Sequence, residues 1–180
     1  MSRIKSSLED ENLKTLEDEI KEHAATVSTN AYSMSVSELI SIYVDGELDL
    51  HPEFQRFFRW TDEQKSRFIE SLLLGIPVPP VFVAEREDSK WDVIDGLQRL
   101  STLLQFVGVL KGEKGKEITP LALTRAKYLT QLEKKVWDSK DASFILPENA
   151  KIKLKRSRID VNIIKNTSDD MTLPPRVYQG

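Results

Sequence analysis

The sequence predicts an α+β fold, with one domain at about residues 31–165 and an arm at each end. Three observations point there. Helix-capping signals and short apolar strand runs both occur, but without the regular alternation of a doubly wound parallel sheet. A length of 180 residues gives room for one real core. The balance of 39% hydrophobic and 31% charged residues is that of an ordinary globular chain, with no low-complexity segment or internal repeat.

Residues 1–30 read as a charged helical arm, with Leu8, Leu13, Leu16 and Ile20 roughly on one stripe. Tyr32–Met34 reads as a short strand. Ser35 and Glu38 form a capping box that opens a helix over Val36–Val44, and Asp45-Gly46 ends it. Leu48–Leu50 is a short strand candidate. His51–Trp60 is dense in aromatic and cationic residues, and Pro52 resists a helix. In this loop Phe54, Phe57 and Trp60 are expected to plug the core, the alternative being that their faces stack on bases. Gln55, Arg56 and Arg59 suit anion recognition, because a guanidinium forms forked hydrogen bonds to phosphate.

Thr61 and Gln64 form a second capping box, opening a helix that runs to Leu74 and closes at Gly75. The prolines of Ile76–Pro80 stop it. Val81–Ala84 and Trp91–Asp95 read as two strands paired in a hairpin. Lys111–Lys116 is a Gly/Lys loop that lacks the context of a phosphate loop. Leu121–Val136 reads as a helix. Lys151–Ile164 alternates lysine with Ile, Leu and Val, which predicts a long strand or a bent pair of strands with one basic face. That face suits nucleic acid, but a lysine-guarded sheet edge is the commoner reason for this pattern.

The most informative stretch is Trp91–Phe106, an apolar strand that turns directly into an amphipathic helix at Asp95-Gly96. Such a junction leaves free N–H groups at the positive end of a helix dipole, a place that attracts anions. Gly96 allows close approach to the backbone, and Gln98 and Arg99 lie in the first helical turn. Asp95 can cap the helix, or it can hold a metal or orient water. Arg99 can face solvent or a bound anion.

Composition narrows the chemistry. A net charge of −3 argues against coating nucleic acid by bulk charge. The absence of cysteine excludes disulfides, thiolate metal sites and cysteine nucleophiles. Only two histidines, His23 and His51, are present, which disfavours a histidine-rich metal centre. No secretory pattern or membrane-length apolar run occurs, so a cytoplasmic location without a membrane partner is expected.

Three runs, in order, resemble one family: Pro52-Glu-Phe-Gln-Arg with Trp60, Ile69–Pro80, and Val93-Ile-Asp-Gly-Leu-Gln-Arg-Leu-Ser-Thr-Leu103. They resemble the N-terminal domain of GmrSD-type, modification-dependent restriction proteins, over about residues 32–165. The resemblance implies a ParB/sulfiredoxin-like fold, a small mixed sheet flanked by helices. It implies a nucleoside triphosphate (GTP, ATP or another), with Mg2+ as companion ion, in a DNA restriction or phage-defence system. Asp95, Gln98 and Arg99 would be catalytic. Gln55, Arg56, Gly96 and Arg99 would bind the nucleotide, and Asp95 the metal.

Two departures qualify it. Leu97 stands where the common Asp-Gly-Gln-Gln-Arg signature has its first Gln, and leucine is expected to pack inward. After the basic run, residues 166–180 read as the tail of a truncated family domain, without a nuclease motif. A separate nuclease domain or subunit is therefore an expected partner. The alternatives are a non-catalytic DNA-binding or regulatory module, or an interaction-only derivative.

Overall fold

The computed structural model describes residues 15–25, 27–50, 60–112, 115–116 and 118–166. The chain order is α1 (Leu16–Ala25), β1 (Val27–Ser35), α2 (Val36–Val44), β2 (Leu48–Asp49), α3 (Asp62–Leu74), β3 (Val81–Glu85), β4 (Trp91–Asp95), α4 (Leu97–Phe106), α5 (Glu148–Arg156) and β5 (Arg158–Asn166). The strands form one mixed sheet in the order β1-β5-β3-β4-β2. β1 and β5 pair antiparallel from Val27↔Asn166 to Ser35↔Arg158. β3 lies parallel to β5 and antiparallel to β4, and β2 lies parallel to β4. This is the expected α+β architecture, a mixed sheet flanked by helices. No helix among the described residues is long and apolar enough to cross a membrane.

Local chemistry sets both capped helices. Ser35 Oγ accepts the Glu38 N–H at 3.2 Å, and Glu38 Oε2 accepts the Ser35 N–H at 2.6 Å. The Ser35 hydroxyl also donates to Glu38 Oε2 at 2.6 Å, and this bond first, with the Ser35 N–H second, holds the Glu38 carboxyl below its ordinary range. Thr61 and Gln64 repeat the arrangement at α3, and Gly75 ends that helix in the left-handed conformation at φ 74°. The core lies where these helices meet the central strands. Val81, Val83, Val161 and Ile163 meet Val36, Ile69, Leu100 and Leu103 in one buried cluster.

Three sequence expectations need correction. The strand expected at Tyr32–Met34 begins at Val27, inside the segment read as a helical arm, because its full length pairs with β5. The basic strand expected from Lys151 is a helix as far as Arg156, and only Arg158 onward is strand. On a helix the alternating lysines do not share a face: Lys151 and Lys155, four apart, stand together over the Trp137 ring.

The helix expected over Leu121–Val136 is an irregular segment with one short 3-10 turn at Thr130–Leu132. Four of its N–H groups bond to side chains of α3 instead of to a helix of their own. The buried Glu70 carboxylate accepts the Tyr128 and Leu129 N–H groups, each at 2.6 Å, and that of Lys127 at 3.3 Å. Ser66 Oγ accepts the Thr124 N–H at 2.8 Å.

Candidate functional site

The junction after β4 is built as its residues dictate. Gly96 has φ 97°, a left-handed conformation that side chains resist. A Cβ there would lie 2.8 Å from Val81 Cγ2 and 3.1 Å from Arg99 Nη2. Glycine is therefore required both by the backbone and by the close passage of β3. α4 starts with no side-chain cap and no acidic residue in its first turn, so its N-terminal dipole end is not neutralised by its own residues. Leu97 packs against the core, as expected for the departure from the common signature.

The polar residues of the signature face two neighbouring segments. Arg99 Nη2 donates to Asp95 Oδ2 and to the Pro80 carbonyl, both at 2.9 Å. The Arg99 side chain is only 14% exposed, whereas that of Asp95 is 54% exposed. Arg99 Nε is buried without a hydrogen-bond partner among the described residues. Gln98 Oε1 accepts the Trp60 N–H at 3.2 Å. Gln98 and Arg99 thus tie the helix start to the end of the aromatic loop and to the proline turn. Asp95, Gly96 and Arg99 lie together, Gln98 turns to Trp60, and Gln55, Arg56 and Arg59 lie outside the described residues.

Magnesium fits this site only in one manner. Among the described residues no group of three or more His, Cys, Asp or Glu could hold a metal ion. Asp95 alone offers an exposed carboxylate, and Mg2+ commonly takes one or two carboxylates with the remaining ligands from phosphate and water.

The family model of the GmrSD restriction endonuclease N-terminal domain matches residues 36–173, from the start of α2 to beyond β5. The chain belongs to this family. For this GmrSD-type domain, membership supports a role in a restriction or phage-defence system. No curated protein and no solved structure matches the chain.

Around the signature, the domain carries features that sequence reading missed. A shallow cleft of about 320 Å³ lies beside it, lined by Trp60, Gln64, Arg67, Phe68, Ser71 and the Pro77–Pro79 turn. The spacing of Gln64, Arg67, Phe68 and Ser71 on one helix face was the available signal. Trp60 is half-buried against Phe68, ring edge to face at 5.7 Å, so it does join the core as expected. A larger cavity of about 850 Å³ opens against β2, between Tyr43, Lys90 and Lys111, and includes no signature residue.

At the far end of the β3–β4 hairpin, Arg86 is clamped by Asp88, Asp92 and Asp49. The Asp88 hydrogen bond is the main cause holding Arg86 above its ordinary pKa, and the same bond holds Asp88 below the usual carboxylate range.

Proposed function

We propose that the Asp95–Arg99 junction binds the phosphates of a nucleoside triphosphate and hydrolyses it, as the nucleotide module of a restriction or phage-defence system. The observation that supports this best is the uncapped start of α4 behind Gly96, with the unmet Arg99 Nε beside it. Phosphoryl transfer depends mainly on positioning and charge neutralisation, and this donor set supplies both. Arg99 is already oriented by Asp95 and Pro80, so it loses little freedom on binding. Gln98 holds the Trp60 segment against the phosphate site.

Asp95 would be the magnesium ligand, and the ion would relieve the repulsion between that carboxylate and the phosphates. Turnover further asks Asp95 to orient a water molecule. DNA cleavage would fall to a separate nuclease domain or subunit, in the cytoplasm. The mixed sheet with its signature at a strand–helix junction supports the finer kinship with ParB and sulfiredoxin.

The test is a triphosphatase and thermal-shift series with ATP, GTP, CTP and UTP plus magnesium. Nucleotide at about 100 times Kd adds about 2.7 kcal/mol of stability, a Tm rise of roughly 5–10 °C. Asp95→Ala and Arg99→Ala should lose turnover. Equal activity in wild type and both variants sinks the assignment, as does a wild type without any nucleotide-dependent shift.

A further inference from the structure

We infer that the cleft between Trp60, Arg67 and the Pro77–Pro79 turn is the nucleobase subsite of the phosphate-binding junction. The inference rests on the nucleotide reading above and extends it to the part of the ligand that the signature does not touch.

Both walls of the cleft are fastened to the signature. Gln98 accepts the Trp60 N–H, and Arg99 donates to the carbonyl of Pro80, the residue after Pro79. The cleft is thus joined to the phosphate junction through one hydrogen bond on each side. The volume, about 320 Å³, lies at the lower end of small-molecule pockets, enough for one base with the phosphates outside.

The lining chemistry suits a flat aromatic ring. An indole, two proline rings and Val78 offer apolar faces for stacking. Arg67 is exposed, and its guanidinium makes no hydrogen bond or salt bridge among the described residues beyond a through-space attraction to Glu63, so it is available to stack on a base or to donate to its edge. Gln64 commits Oε1 to the Thr61 N–H, which leaves its amide N–H groups facing outward as donors. Ser71 Oγ is already bonded to the Arg67 carbonyl. Stacking accepts any base, so the cleft should discriminate weakly among the four nucleotides.

The experiment titrates the whole chain with each nucleoside triphosphate and with inorganic triphosphate, following tryptophan emission and Kd. Wild type should show quenching by nucleotide. Trp60→Phe keeps the backbone N–H that bonds Gln98, and it should lose most of that quenching. It should also bind nucleotide about tenfold more weakly, with a much smaller loss for inorganic triphosphate. Arg67→Ala, at an exposed position that leaves the core intact, should show the same selectivity with a loss of several-fold.

Nucleotide affinities within twofold of wild type in both variants overturn the subsite and leave the phosphate reading standing. Failure of wild type to bind either nucleotide or inorganic triphosphate overturns the phosphate reading, and the subsite with it. Trp60-dependent quenching by a single-stranded oligonucleotide but not by free nucleotides would give the cleft to nucleic acid, and would overturn the proposal.

Discussion

The two ends of the β3–β4 hairpin each set an arginine among carboxylates. At one end Arg86 is 35% exposed and every guanidinium nitrogen has an acidic partner: Nε and Nη2 donate to Asp88, and Nη1 donates to Asp92 with Asp49 close by. At the other end Arg99 is 14% exposed, shares one nitrogen between Asp95 and a carbonyl, and leaves Nε unmet among the described residues. Three acids satisfy the exposed arginine, whereas one half-exposed acid serves the buried one. A buried unmet donor is costly. Saturation suits Arg86 to fastening the hairpin, and incompleteness is what the proposed phosphate role of Arg99 draws on.

The comparison breaks most sharply at Gly96. Alanine there meets both a left-handed backbone, costing roughly 1–3 kcal/mol, and overlap with Val81, costing a similar amount. Gly96→Ala should lower Tm on the order of 10 °C and abolish nucleotide binding, checked by calorimetry and titration. Next in size, Arg99→Ala should cost roughly 1–3 kcal/mol through its lost hydrogen bonds to Asp95 and Pro80. Arg99→Lys should recover stability better than binding, because lysine lacks the planar fork. Arg86→Ala should leave nucleotide Kd unchanged while lowering Tm only slightly; a loss of affinity equal to that of Arg99→Ala would erase the distinction between the two ends.

The smallest effect is on pH dependence. Asp88 has a folded pKa below its ordinary value, so its contribution is present above the unfolded pKa and is lost as pH falls through the folded one. Wild type should therefore lose slightly more Tm than Asp88→Asn between about pH 6 and about pH 3, measured by thermal melts.

What the sequence made legible was local. Capping boxes at Ser35 and Thr61 involve residues three apart, so both helix starts could be read directly. Gly96 and the inward Leu97 followed from the strand–turn–helix pattern. The misreadings depended on partners distant in the chain. Nothing near Lys127–Leu129 announces that Glu70 will take their N–H groups, so local apolar spacing suggested a helix. Over Lys151–Lys155 the alternation imitates a strand. The better signal was charge polarity, Glu148 in the first turn against Lys153, Lys155 and Arg156 in the last, which complements a helix dipole. At the junction, the strand–turn–helix path was legible but the side-chain directions were not. The Gln98–Trp60 and Arg99–Pro80 bonds span 38 and 19 residues.

The buried Glu70 carboxylate has a consequence for how this domain opens. It fastens three amides of an irregular segment to the middle of α3. Those amides should exchange with solvent deuterium as slowly as the core of α3, although the chain around them has the outline of a loop. In Glu70→Gln they should exchange at the faster rate of a surface connection while β3 and β5 remain protected. The segment from Leu121 to Leu132 then belongs, in cooperative unfolding, to a helix about sixty residues earlier in the chain.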